Sequence, residues 1–364
     1  MLEVTHGDVA WIESLGEIFC LTFIKQVEET EALKRLGAVP DTLRPRTLQE
    51  AQDAYYSYEA GYPVFAFVLN LGTWALLIEP DGFKASLIEP LTALSRGTEV
   101  VSVQRHEYAD HGFRYAVDGT LVTGFEPTWP QVRWGSEPDR LVGKMRAAGL
   151  DPVPPEDEDE DDTYISRAYI PAFLLAGLIT GAVPHPDTLT GQVLSAEIEP
   201  WFNGAPPSLP HGPTDSGMRA ALEAAPPRLL RTVAARETMR LATVLNLHTT
   251  PGLAEAVAAA ERGEPVTISP ESELGTHIRS WLIRSRQAGG SLNDPSAQHK
   301  MSDDQRTAAH MRAWFVNALK GALWPEPLAA ARCALYPLTQ GPPLLRDAAQ
   351  EAAILHALRG DQSN

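Results

Sequence analysis

The sequence predicts an α+β protein, in which an antiparallel meander sheet with flanking helices precedes a mainly helical domain. Three observations indicate this class. Over residues 1–150, β-branched and aromatic runs alternate with turn signals such as Asp118-Gly119, which favours a type I′ hairpin turn. Seven consecutive acidic residues, Glu156 to Asp162, then divide the chain. Beyond them the capping signals and apolar spacing are mainly helical.

The first part of the chain is expected to begin with a short helix from Thr5 to about Leu15. Apolar runs predict the strands, and capping signals predict helices between them. Strands are expected at Ile18–Ile24, Pro63–Val68, Thr73–Glu79, Thr98–Glu107, Phe113–Val117 and Thr120–Phe125. Helices are expected at Val27–Leu36, ended by Gly37, at a Thr47/Glu50 capping box, at Ser86–Leu94 and at Pro138–Ala148.

Residues 151–163, DPVPPEDEDEDDT, form the clearest predicted domain boundary, because adjacent prolines stiffen the chain and neighbouring acids repel each other. The predicted domains are therefore 1–150, a linker at 151–163, and 164–364. Helices are expected in the last part at Ser166–Ile179, Pro186–Ala196, Arg228–Leu247, Thr250–Gly263, Ser269–Gln287, Ser302–Leu323, Pro327–Leu335 and Pro343–Leu358. No fixed-period repeat supports a solenoid.

The formal net charge is -17, which argues against nucleic-acid binding and against an anionic membrane surface. It favours a basic protein partner, although an acidic surface also serves solubility. The charge is unevenly distributed. Residues 163–364 hold 17 basic and 18 acidic side chains, so this part of the chain is nearly neutral. The acidic run supplies a large share of the total charge, and the surface of the helical part need not repel nucleic acid.

Only two cysteines occur, Cys20 and Cys333, which suits a reducing cytosol and a cytoplasmic protein. Both lie in apolar runs, so we expect buried structural cysteines rather than reactive thiols. The start of the chain carries early acids and no basic region, unlike a signal peptide. The longest apolar stretch, Tyr169 to Ala182, has the length of a buried helix and is short of a membrane span.

No Gly-rich phosphate loop, zinc-binding helix motif, C-x-x-C or nucleophile elbow occurs in the sequence, so no cofactor is expected. His106, Asp110 and His111 bracket one predicted hairpin and could meet a metal. A solvated turn explains them better, because a metal site needs three or four convergent ligands. Glu79, with Glu89 and Asp118, lies at the end of a predicted element, and we interpret it as an ordinary strand-end acid rather than an acid–base group.

Two further groups of residues suggest binding surfaces. Trp129, Arg133 and Trp134 lie in a predicted loop, where Trp and Arg are typical interface anchors, although both rings could instead cap the sheet. Positive charge on two predicted helices could bind phosphate, could dock the acidic run 156–162, or could simply be solvated. These arginines are Arg231, Arg236, Arg240, Arg279, Arg284 and Arg286.

Several short segments are similar to an uncharacterised domain family of high-GC bacteria, over about residues 8–150. They are Trp11, Phe19–Phe23, Leu33–Ala38, Trp74–Glu79, Leu94–Thr98, Tyr115–Gly119 and Gly135–Asp139. The resemblance implies no catalytic residues and suggests an adaptor or conflict-related role.

The sequence therefore favours a non-enzymatic, protein-binding protein, such as an immunity or regulatory protein with a basic partner. Two alternatives stay open. One is an enzyme or small-molecule binder with a cleft between the two domains, and the other is a chromosome-associated regulator that uses the arginine helices. The oligomeric state is not predicted.

Overall fold

The computed structural model describes residues 12, 15–106, 111–153, 169–185, 189–205 and 216–360. The chain divides into two compact units. The first comprises Met1–Ser57 and Pro63–Ala205, and the second comprises Tyr58–Tyr62 and Pro206–Asn364. An α+β first unit and a helical second unit confirm the predicted fold class.

The first unit is built on an antiparallel sheet of nine strands with the order β2-β9-β3-β4-β1-β5-β6-β7-β8. Strand β1 is central, between β4 and β5, so the sheet is not a plain meander. The strands are β1 (Phe19–Lys25), β2 (Arg44–Arg46), β3 (Phe65–Leu71), β4 (Trp74–Pro80), β5 (Glu99–Arg105), β6 (Gly112–Val117), β7 (Thr120–Phe125), β8 (Arg133–Trp134) and β9 (Val193–Glu197).

Both faces of this sheet are covered, because successive side chains of a strand point to opposite faces. Along β1, Phe19, Leu21 and Phe23 enter one apolar cluster, whereas Cys20 and Ile24 enter the other. The helices of this unit are α1 (Glu29–Leu36), α2 (Leu48–Tyr55), α3 (Ile88–Leu94), α4 (Val142–Ala147) and α5 (Tyr169–Thr180). The first cluster includes residues of α4 and α5, and the second those of α1 and α3.

Local signals place several ends of elements correctly. Gly37 ends α1 in the left-handed conformation, with φ 100°. The Thr47/Glu50 capping box begins α2, with both reciprocal hydrogen bonds present. Asp118 and Gly119 adopt φ 47° and 77°, as a type I′ turn requires. The predicted helix from Thr5 falls almost entirely outside the described residues.

The predicted helix Pro186–Ala196 is wrong where the structure describes it, because Val193–Glu197 is strand β9. It pairs with both β2 and β3, which satisfies its backbone groups on two sides. Helix α5 also belongs to the first unit, where Phe173 packs on Phe23 with ring centroids 5.8 Å apart. The boundary between the compact units therefore follows Ala205 and not residues 151–163, whose acidic run lies outside the described residues.

The second unit contains seven described α-helices. The Ser302/Gln305 capping box correctly predicts the start of one of them. They are α6 (Ser216–Ala224), α7 (Pro227–Val244), α8 (Leu253–Arg262), α9 (Glu273–Asn293), α10 (Asp303–Ala322), α11 (Pro327–Gln340) and α12 (Ala348–Gly360). Helix α7 packs against α8, α10 and α11, and α9 packs against α10. Within the described part of the chain, none of the helices combines the length and apolar character of a membrane span.

Candidate functional site

Exposed apolar side chains lie at one edge of the sheet, around strand β8, which ends the described sheet and pairs with β7. Four side chains define this edge surface: Trp129, Val132, Trp134 and Val153, which are 45%, 60%, 42% and 55% exposed. The two tryptophans therefore do not fold away completely to cap the sheet. Large apolar side chains grouped at a surface commonly mark a site of protein association.

Hydrogen bonds of Arg133 connect the segments that carry the edge surface. Its side chain is only 14% exposed, and its Nε and Nη2 donate to Oδ1 of Asp139 at 3.0 and 2.7 Å. Its Nη1 donates to the carbonyl oxygens of Pro130 and Pro152, at 2.7 and 3.1 Å. The guanidinium thus ties the segment carrying Val153 to the loop carrying Trp129. Arg133 therefore positions these segments, and its direct contact with a partner stays a prediction.

Gly124 determines how Trp134 lies on the sheet. These residues are cross-strand partners, and a Cβ at position 124 would lie 2.6 Å from Nε1 of Trp134. The indole therefore rests directly on the backbone of β7, which fixes its ring while leaving nearly half of its area exposed. A rigid aromatic side chain loses little conformational entropy on binding, so this geometry suits an interface anchor.

A second group of polar side chains is buried on the face of the sheet that carries Cys20. Glu79 and Gln104 flank Cys20 on β4 and β5 in direct register. The Cys20 thiol lies 3.4 Å from Oγ1 of Thr22 and 3.3 Å from Oγ of Ser102, and these two hydroxyl oxygens are 2.9 Å apart. All five residues are buried.

Burial raises the pKa of Glu79 from its ordinary value of 4.5 to about 7, because desolvation penalises the carboxylate. The backbone N–H of Ala85, which donates to its carboxyl oxygens at 2.8 and 3.3 Å, opposes that rise only partly. Glu79 lies near the end of β4, as expected, but it is fully buried and not an ordinary solvated acid. The sequence signal was available: Trp74-Ala75-Leu76-Leu77-Ile78 makes the preceding strand apolar on both faces.

Cys20 is a structural cysteine, as its apolar context predicted. Desolvation raises the pKa of its thiol to about 12, and the charge of nearby Glu79 acts in the same direction. A nucleophilic cysteine needs a lowered pKa in an electropositive, accessible setting, so this thiol stays protonated and unreactive. Cys333 is also buried and free.

The histidines proposed as weak metal ligands lie in different surroundings. His106 packs edge-on against Phe83, which borders the cluster containing Cys20, and His111 packs against Tyr169 in the other cluster. His111 is buried, so a solvated turn does not describe it, and Asp110 lies outside the described residues. Across the described ranges, no three metal-ligating side chains come together.

Four of the six arginines of the helical unit make hydrogen bonds within it. Arg240 makes a bidentate ion pair with the buried Glu237, at 2.6 and 2.8 Å, and also donates to a backbone carbonyl. Nη2 of Arg231 donates to the carbonyl of Pro325 at 3.3 Å. Both side chains stabilise the helix packing around α7, and the contacts of Arg240 leave its guanidinium little capacity for phosphate.

Two arginines of α9 also make hydrogen bonds within the helical unit. Nε of Arg286 donates to the carbonyl of Gly61 at 3.1 Å, and Nη1 of Arg284 to Oε1 of Gln287 at 3.1 Å. Arg236 on α7 is exposed, and Arg279 on α9 is half-buried. Docking of the acidic run 156–162 onto these helices stays a prediction, because the run is outside the described residues.

Comparison with known families confirms an uncharacterised domain in the first part of the chain. A model described as "Family of unknown function (DUF6461)" matches residues 2–192, more than half of the 364-residue chain. The chain belongs to this family. The DUF6461 match ends at the start of β9, so it includes α5 and agrees with a first unit that continues past the acidic run. No curated protein and no solved structure matches the chain.

Proposed function

We propose that this DUF6461 protein is a non-enzymatic protein that binds a protein partner through the edge surface. The observation that carries the proposal is that Trp129, Val132 and Trp134 are exposed although Arg133 and Gly124 hold their backbone in place. Interfaces draw most of their binding energy from a few buried aromatic anchors on such preorganised surfaces.

The charge of the chain favours a basic partner. The net charge is -17, and seven consecutive acids begin three residues after Val153 in the sequence. Acidic groups beside an apolar contact surface accelerate association with a basic protein and oppose acidic competitors. We infer an immunity or regulatory role in the cytoplasm of a high-GC bacterium, in which the protein occludes a basic partner.

Substituting the two tryptophans should sharply weaken this binding. For a partner captured from native lysate and then purified, Trp129→Ser and Trp134→Ser should each raise the Kd by about 30-fold, since an anchor residue contributes about 2 kcal/mol. Isothermal titration calorimetry measures the change. The matched control is Ile88→Ser with Leu292→Ser, which alters exposed apolar side chains outside the edge surface and should leave the Kd unchanged.

The control also distinguishes specific binding at the edge surface from nonspecific binding to exposed apolar side chains. If both pairs of substitutions weaken capture equally, the edge surface is not the binding site. If a folded Trp129→Ser/Trp134→Ser variant binds its partner with the parent Kd, the proposed surface is rejected.

A further inference from the structure

The helical unit contains an open cavity with a volume of about 330 Å³ that the proposed partner surface does not use. The C-terminal end of α7 and the residues after it form one side, α10 forms another, and the segment before α12 contributes one leucine. The lining residues are Val244, Leu245, Asn246, Asp304, Thr307, Ala308, Met311, Arg312 and Leu344. This volume is at the lower end of the range typical of small-molecule sites.

The walls of the cavity combine exposed apolar side chains with a few polar groups. Val244 and Leu344 are 46% and 68% exposed, although both are aliphatic and neither belongs to the edge surface. Leu245 and Met311 add further apolar lining. Covering such side chains with hydrocarbon is favourable, because it removes apolar area from water. The cavity therefore suits a ligand with an aliphatic portion.

Arg312 indicates the polar end of that ligand. Its side chain is half-buried, lines the cavity, and makes no hydrogen bond or ion pair with any residue that the structure describes. A guanidinium pairs best with a planar carboxylate, which it can bind through two parallel hydrogen bonds. Asp304 also lines the cavity but lies eight residues earlier on α10, about 12 Å along the helix axis. Its charge directs an anionic group toward Arg312.

We propose that this cavity binds a small aliphatic carboxylate, with the carboxylate on Arg312 and the hydrocarbon chain against Val244, Met311 and Leu344. The site is independent of the edge surface, so failure of either proposal leaves the other standing. It also lies wholly within the helical unit.

Titration of the full chain with octanoate and with its uncharged analogue octanamide tests the proposal. Binding is read from the methyl resonance of Met311 in ¹³C-methyl-methionine protein. Octanoate should give a saturable shift and bind at least about tenfold more tightly than octanamide, since a charge-assisted pair contributes more than a neutral contact. Arg312→Met should remove that preference, and Arg312→Lys should retain part of it.

Variants at the rim supply the matched control. Leu344→Ser should weaken octanoate binding, whereas Leu292→Ser, at an equally exposed leucine outside the cavity, should leave it unchanged. The proposal is overturned if the parent gives no saturable shift, or if octanamide binds as tightly as octanoate. Equal octanoate affinity in a folded Arg312→Met variant overturns it as well. If that variant does not fold, the relative affinities of octanoate and octanamide for the parent protein still test the proposal.

Discussion

Glu79→Gln should make the first unit more stable at pH 8 while leaving it nearly unchanged at pH 4. The carboxyl group of Glu79 is buried between β1 and the 84–86 turn, and burial raises its pKa from 4.5 to about 7. The folded state therefore holds its proton more tightly than the unfolded state. This stabilising contribution is complete below pH 4.5, is lost as the pH rises to about 7, and is absent above it.

The expected size follows from the same linkage. A shift from 4.5 to about 7 corresponds to roughly 3 kcal/mol of unfolding free energy lost between pH 4.5 and pH 7. The uncharged amide that replaces the carboxyl group can still accept the N–H of Ala85 and does not ionise, so the variant should lack this loss. Urea unfolding at each pH, read by hydrogen-exchange pulses at one fixed pH on peptides from β1 and β4, measures it.

The matched control is Glu17→Gln, which changes an exposed acid in the same unit and should keep the parental pH dependence. A Glu79→Gln variant that loses stability between pH 4.5 and 7 as steeply as the parent would show that Glu79 is not the group responsible.

Gly321→Ala should strongly destabilise the helical unit. A Cβ at position 321 would lie 2.0 Å from Cβ of Cys333 and 2.7 Å from its sulfur, so α10 and α11 meet here without space for a methyl group. The two helices would have to separate, and overpacking of this kind costs about 3 kcal/mol. The loss should appear as faster amide hydrogen exchange in peptides from α10 and α11.

Gly289→Ala on α9 provides the matched control, because no atom lies within 4 Å of the added Cβ. This substitution should stabilise the unit by about 0.5–1 kcal/mol, since alanine favours a helix over glycine. If Gly321→Ala leaves the exchange of α10 and α11 unchanged, the close approach of these helices is wrong.

The sequence predicts local features of this fold and misses those that depend on distant contacts. The Thr47/Glu50 box and the Asp118-Gly119 turn depend on residues a few positions apart, so their chemistry is visible in the sequence. Strand β9 is short, and only pairing with β2 and β3 makes it a strand. The composition of the acidic run suggests a domain boundary. Composition does not reveal into which unit the chain after the run packs.

The candidate site likewise combines features that the sequence predicts with features that depend on distant contacts. Tryptophans in a loop could be identified from the sequence, and the structure leaves the side chains of Trp129, Val132 and Trp134 exposed. The positioning role of Arg133 depends on the carbonyl of Pro152, which is 19 residues away, so no local pattern could reveal it. The contact of Gly321 with Cys333 is equally invisible until α10 and α11 are packed together.

Site-specific photo-crosslinking tests the central claim, that the edge surface binds a protein partner, most directly. A photoreactive benzoylphenylalanine replaces Val132, which is 60% exposed between the two tryptophans, or Leu292 on the helical unit as control. In native cells, the probe at position 132 should form one dominant crosslink to a basic protein, and Trp129→Ser/Trp134→Ser should remove it. The probe at position 292 should not form that crosslink. Absence of any protein crosslink at position 132, or the same crosslinks from both positions, would contradict the account.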